Sequence, residues 1–289
     1  MRWNGQKWLT SPVPGVKGGT LTLVSVSCRS SSFCMAVGTA IPTGNGDFQR
    51  VAERWNGSTW TIVPTPKVTG GLLTGVSCWS PSGCISVGSK NLFSPLAESW
   101  NGSRWSVLPT PSPRTNDALG RVSCVDAHWC MATTLGKSSP ASQIWNGSTW
   151  RATPTLPSSE SFGNAISCVS ERFCFQANET KSGHTLIAEW NGTKWTVVPT
   201  PSPSHRQSNL DGVSCSTLKL CVAVGPAAST TLIEQWDGKT WSIQRSPNRG
   251  QVSMLDSVSC ARVNVCMAVG DSAASNKLPN RTQPLAIRN

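Results

Sequence analysis

The sequence predicts an all-β chain, a six-bladed β-propeller of four-stranded blades about 45 residues long with one disulfide hairpin each. Three observations predict it. A hexapeptide Trp-Asn/Asp-Gly-x-x-Trp occurs six times, at 3–8, 55–60, 100–105, 145–150, 190–195 and 236–241. Between its copies falls a second signature, Ser-Cys followed by five residues and another Cys. The composition, with 13% charged residues, 25 Gly and 20 Pro, suits short strands joined by turns and argues against long helices. The first Trp recurs at intervals of 52, 45, 45, 45 and 46 residues, and the first Cys at 50, 46, 44, 47 and 45. Periods in the mid-forties fit a four-stranded blade better than a helical solenoid.

Taken in order, a unit divides into strands a to d. In the second unit, strand a covers 73–78 and a loop at 79–83 leads to strand b at 84–88. Strand c covers 95–100, Asn101-Gly102 turns the chain because both residues tolerate positive φ, and strand d covers 105–108. Pro109, Pro111 and Pro113 then end the pairing, since proline donates nothing to a ladder.

All 12 cysteines fall into one spacing. Local disulfides are the natural reading: Cys28–Cys34, Cys78–Cys84, Cys124–Cys130, Cys168–Cys174, Cys215–Cys221 and Cys260–Cys266. They place the protein in an oxidising compartment, extracellular or at the cell envelope. Zinc is the competing reading. The six-residue spacing is not that of a ligand knuckle, and only His128 lies inside a cysteine loop. The N-terminus shows no apolar signal-peptide region, so a removed leader or a misassigned start is expected. No stretch is long and apolar enough for a membrane helix.

The last unit supplies strands a, b and c, with Ala286-Ile287-Arg288 matching Ala52-Glu53-Arg54. The chain begins where strand c ends. The expectation is one domain over 1–289, its last blade formed by 250–289 and closed into a ring by the N-terminal strand 1–13. A piece of a longer array is the alternative.

These motifs resemble those of predicted secreted repeat proteins of actinobacteria, with tandem WNGxxW…PTP and VSC-x5-CxAVG units. Cys34-Met35-Ala36-Val37-Gly38 and Cys221-Val222-Ala223-Val224-Gly225 carry the likeness. It implies a β-propeller-like architecture and export, and no activity. The copy Trp236-Asp237-Gly238-Lys239-Thr240-Trp241 is weakly similar to the Asp-box of sialidase-type propellers, which has one more residue between Asp and Gly.

Little catalytic material is present. With 0 Tyr, a sialidase nucleophile or a Tyr–Cys radical centre is excluded. His128, His184 and His205 lie in different units, and no nucleophile-elbow, zinc-protease or phosphate-loop motif occurs. No catalytic residue, metal or cofactor is assigned. Glu53, Glu98 and Glu234 share one repeated position, two before the first Trp. Such periodicity suits structural acceptors or ion-pair partners better than a catalytic pair. The Trp pairs are read as packing across their hairpins. Trp79 and Trp129, inside cysteine loops, are the candidates for exposed aromatics. Asn56, Asn101, Asn146 and Asn191 head N-x-S/T sequons, although the turn itself demands Asn-Gly.

In an up-and-down blade the a–b and c–d connections share one face and the b–c and d–a connections the other. The second face carries the segments that vary between units, 44–48, 114–117, 181–184 and 204–207. Variable loops on a rigid scaffold are where binding resides. The candidate binding residues are Asp47, Arg114, Asp117, His184, His205, Arg206, Trp79 and Trp129. The formal charge of +11 favours polyanions, but no run of five basic residues occurs, so specific nucleic-acid recognition is not expected. The expected function is a secreted, monomeric, non-enzymatic binding module for a carbohydrate or polyanionic cell-envelope ligand. The alternatives are a propeller lyase or glycosidase with acids at the central channel, and a scaffold that docks a protein on its Trp-rich face.

Overall fold

The computed structural model describes the chain except for residues 17–18, 43–47, 69, 92, 112–117, 136–141, 157–164, 204–206, 264, 275–282 and 289. The described residues form strands and no helix. β1 (Arg2–Trp3) and β2 (Trp8–Leu9) make a two-stranded hairpin. The first blade is β3 (Gly19–Ser30), β4 (Phe33–Pro42), β5 (Gln49–Trp55) and β6 (Trp60–Val63), and the second is β7 (Leu72–Ser80), β8 (Gly83–Lys90), β9 (Ser94–Trp100) and β10 (Trp105–Leu108). The third is β11 (Leu119–Cys124), β12 (Cys130–Thr134), β13 (Ser142–Trp145) and β14 (Trp150–Ala152). The fourth is β15 (Ala165–Ser170), β16 (Phe173–Glu179), β17 (Thr185–Trp190) and β18 (Trp195–Val198). The fifth is β19 (Gly212–Thr217), β20 (Leu220–Ala227), β21 (Thr230–Trp236) and β22 (Trp241–Gln244). The sixth shows three strands, β23 (Val252–Arg262), β24 (Val265–Ala273) and β25 (Gln283–Arg288). The molecule is a six-bladed β-propeller of antiparallel sheets. Its chain divides into two compact units, 1–130 with 145–151, and 131–144 with 152–289.

All six cystines form, each between residues directly opposite on the first two strands of a blade, with Cα atoms 3.9–4.0 Å apart. The loop expected at 79–83 is shorter than the sequence suggests. Cys78 faces Cys84 and Ser80 faces Gly83, with the register shift between Cys78 and Ser80, so only Pro81 and Ser82 turn the chain. The extra residue in that shift is Trp79, a β-bulge.

The Trp hairpins also differ from expectation in one respect. Trp55 faces Trp60 across the turn, and Gly57 takes φ +102°, but Asn56 does not enter the left-handed region. Asn56 serves instead through its side chain, whose Oδ1 accepts from the Ser58 and Thr59 N–H groups at 2.9 Å each. Asn101, Asn146 and Asn191 repeat this, and Asp237 does the same toward Lys239 and Thr240. One oxygen satisfying two turn donors is what the position requires, which both Asn and Asp supply. The rings pack with centroids 5.6–5.8 Å apart. The first Trp N–H then ties this hairpin to the first turn of its own blade, as Trp100 donates to the Pro81 carbonyl at 3.2 Å and Trp190 to that of Glu171 at 3.1 Å.

Within each unit, one blade meets the next through a repeated device. The Ser preceding the first Cys accepts a hydrogen bond from the backbone N–H of the equivalent Cys one blade on. In the first unit Ser27 receives Cys78 and Ser77 receives Cys124, both at 3.0 Å. In the second Ser167 receives Cys215 at 2.9 Å and Ser214 receives Cys260 at 3.0 Å. Beside these bonds lies the core. Phe33, Met35, Val37 and Ala52 pack on Val76, Leu96, Trp100 and Trp105, while Phe175 sits edge-on to Trp236 and Trp241 at 5.2 and 5.1 Å. Gly88 permits close strand passage, since a Cβ there would lie 1.9 Å from the Leu72 carbonyl oxygen.

The second Trp of a pair is less uniformly served. Trp195 donates to Ser142 Oγ at 3.2 Å, whereas the buried indole N–H groups of Trp105, Trp150 and Trp241 have no partner among the described residues. Ser142 also bonds Thr153 at 3.0 Å. Ser142→Ala orphans the Trp195 donor and is expected to cost about 1–3 kcal/mol. Urea unfolding against wild type checks it; an unchanged midpoint would show that this bond contributes nothing.

Candidate functional site

Glu53, Glu98 and Glu234 are fully buried, each on the third strand of its blade. Arg50 on β5 meets Glu98 on β9, Nε to Oε1 at 3.3 Å. The same guanidinium donates to the carbonyls of Pro66, Val68 and Gly70 at 2.6, 3.1 and 2.8 Å, which pins the connection between the first two blades. Burial pushes the Glu98 carboxyl up to about 7 against the opposing pull of Arg50. In the second unit Thr185 stands where Arg50 does, five residues before its Trp. Its hydroxyl bonds Thr200 and Ser202 at 2.8 and 2.7 Å. Glu234, raised by burial to about 7, is offset only by the Thr185 hydroxyl. The three acids lie in different blades, the first, second and fifth. Among the described residues no three His, Cys, Asp or Glu side chains gather into a metal-binding group.

A cleft does occur where the variable segments lie, within the second unit. Its volume is about 510 Å³, and Glu179, Lys181, Gln207, Ser208, Asn209 and Ala228 line it. Its walls are stitched by backbone. The turn after β16 closes through Thr180 N–H to His184 O and Gly183 N–H to Thr180 O, at 2.8 and 2.9 Å. Ser208 N–H donates to Gly183 O and Ala228 N–H to Gln207 O, both at 2.8 Å. Three chain segments are thereby held before any ligand arrives. Two further features mark the cleft. Ala228 sits at φ +54°, a conformation a Cβ-bearing residue adopts at a cost. The Ser208 hydroxyl is buried without a hydrogen-bond partner among the described residues. Asn209 turns its amide N–H to Asp211 Oδ1 at 2.7 Å, so its own oxygen is presented with a fixed orientation.

Of the candidates read from the sequence, His184 is exposed on the turn that forms one wall. Asp47, Arg114, Asp117, His205 and Arg206 lie outside the described residues. The structure corrects the two aromatic candidates. Trp129 is only 6% exposed. Trp79 is half-buried and lies over its own hairpin, where a Cβ on Gly83 would come within 2.2 Å of the indole nitrogen. The variable segments 181–184 and 204–207 contribute Lys181 and Gln207 to one cleft. Glu179, Ser208, Asn209 and Ala228 were missed; they are ordinary residue types at strand ends, with no motif to mark them.

No protein-family model matches the chain, and no curated protein matches it. Solved structures do, and those compared below are β-propellers. YCF48 bound to D1 peptide superposes with a TM-score of 0.61 and 13% identity, over 93% of this chain and 83% of that one. A GH74 xyloglucanase from Xanthomonas campestris gives 0.62 and 10% over 90% of this chain, which spans 46% of that enzyme. The SapL1 lectin in complex with alpha methyl fucoside gives 0.53 and 10%, over 78% of this chain and 79% of that one. At such identities the likeness is one of fold alone.

Proposed function

We propose that this chain is an extracellular, non-catalytic carbohydrate-binding module whose site is the cleft beside Lys181, Gln207 and Asn209. The preformed cleft carries the reading. Its lining holds one carboxylate and one ammonium, which balance in charge, beside two amides and two hydroxyls. That set offers donors and acceptors together, the complement of a sugar's neighbouring hydroxyls. A neutral glycan therefore fits better than a polyanion, and the formal charge of +11 acts elsewhere as a general surface property. Glu179 is the one acid among the cleft's lining residues, so the paired carboxylates of a glycosidase are not met there. Six cystines support export, since such bonds persist in oxidising compartments. The fucoside-bound lectin among the similar folds makes a binding role compatible with this architecture.

The test is calorimetric titration of the oxidised protein with neutral oligosaccharides, anionic wall polymers, heparin and DNA across a range of salt. The expected result is binding of a neutral sugar that salt leaves unchanged, weakened about tenfold by Gln207→Ala and again by Asn209→Ala. Binding to every polyanion that fades with salt would instead mean non-specific charge. Failure to bind any of them would favour a protein partner on the Trp-rich face.

A further inference from the structure

Five cations gather at the hairpin end of the fourth, fifth and sixth blades. Arg172 and Lys219 stand on the turns between the first two strands of the fourth and fifth blades, where the first three blades carry Ser32, Ser82 and His128. Lys194 and Lys239 stand on the Trp hairpins of the same two blades, and Arg262 ends β23 in the sixth. All five are exposed, and none has an ion-pair partner among the described residues. The acids on these turns are Glu171 and Asp237. Asp237 already accepts the Lys239 and Thr240 N–H groups at 2.8 Å each.

The backbone fixes where these charges lie. Trp190 and Trp236 donate their indole N–H groups to the Glu171 and Leu218 carbonyls at 3.1 and 3.2 Å, so the two hairpins of each blade end side by side. The stems of Arg172 and Lys219 then cross the neighbouring turn. A Cβ on Gly192 would lie 2.9 Å from Arg172 Cγ, and one on Gly238 would lie 3.2 Å from Lys219 Cγ. Between blades, the bonds from Cys215 N–H to Ser167 and from Cys260 N–H to Ser214 set the hairpins in one row. Packed sheets lie about 10 Å apart, so the row presents positive charge at steps of about that length. The cleft is at the other end of the same strands. β16 starts beside Arg172 and ends at Glu179, and β20 starts beside Lys219 and ends at Ala227.

A row of exposed charges on successive blades suits a polymer of recurring charge better than a small anion. Two features choose its kind. Leu218 and Val263, 53% and 52% exposed, stand beside Lys219 and Arg262 and offer apolar contact to the C–H faces of sugar rings. The aromatic rings of these hairpins turn inward instead. Trp190, Trp195, Trp236 and Trp241 are buried, and Phe173 is half-buried edge-on to Phe175, so nucleic-acid bases find no stacking platform. We infer that this row is a second binding surface, for an extended acidic polysaccharide whose carboxylates meet Arg172, Lys219 and Arg262 in turn. Lys194 and Lys239 add charge beside them. The surface stands whether or not the cleft takes a sugar.

Titration of polygalacturonate into the oxidised full-length chain tests it, with single-stranded DNA in parallel. Polygalacturonate is expected to bind at low salt and to weaken as salt rises. Arg172→Ser with Lys219→Ser installs the residue that the first two blades carry at that position, so this variant is expected to melt with wild type. It is expected to bind polygalacturonate about tenfold more weakly and to leave any binding of neutral sugar in the cleft unchanged. Lys67→Ser with Arg245→Ser removes the same charge from exposed positions just after β6 and β22, at the far end of those strands from the hairpins. That control is expected to bind as wild type does. Equal losses in the two double variants would overturn the inference, since charge would then act over the whole surface. A wild type that binds no polygalacturonate would overturn it as well. DNA bound more tightly than polygalacturonate would assign the row to nucleic acid instead.

Discussion

Arg50→Met is expected to lower the free energy of unfolding by about 3–5 kcal/mol at pH 8, because it leaves a buried carboxylate without its cation. The Arg50 side chain is 4% exposed and Glu98 fully buried, so water cannot replace the lost partner. The change also strips donors from the Pro66, Val68 and Gly70 carbonyls, a second cost that does not depend on pH. The first cost does. Without the cation the Glu98 carboxyl escapes its penalty by taking up a proton, so part of the deficit disappears on acidification. Urea unfolding of the variant at pH 5 and pH 8 separates the two. A loss of the same size at both would show that carbonyl capping, not the ion pair, holds the first two blades together. Removing both partners, as Arg50→Met with Glu98→Leu, is expected to cost less than Arg50→Met alone at pH 8.

Glu234→Gln is expected to stabilise the protein, by about 3 kcal/mol at pH 8 and not at all near pH 4. Burial raises this carboxyl from 4.5 to about 7 in the folded state, with only the Thr185 hydroxyl opposing. The folded protein therefore holds the proton more tightly than the unfolded chain. Its contribution is fully present below the unfolded value of 4.5 and is lost as pH rises through the folded value near 7. Glutamine keeps the shape and cannot ionise, so the variant lacks that part of the decline. The equivalent position in the fourth blade is Ala188, which shows that the fold does not need an acid there. Unfolding free energies of both proteins from pH 4 to pH 8 provide the check. Parallel curves would mean that Glu234 finds a charged or well-solvated environment when ionised.

Much of the fold was legible from sequence because its devices are local. Cysteines six residues apart, and tryptophans five apart around Asn-Gly, act within single hairpins, so a spacing and a turn preference suffice to pair their strands. The period near 45 residues then supplies the blade count.

Contacts one repeat apart were not legible. Nothing in the chain marks Ser27 as the acceptor for Cys78, 51 residues on, or Arg50 as the partner of Glu98. Likewise, Lys181 and Gln207 were each read as variable loop residues, and only the bond from Ser208 N–H to Gly183 O makes them walls of one cleft. The burial of Trp129 is likewise marked by no local spacing. The sequence by itself determined which strands pair within a blade, since backbone register there follows from short spacings. The tertiary structure alone decided which side chains meet between blades, because that depends on the face each strand turns toward its neighbour after the sheets have packed.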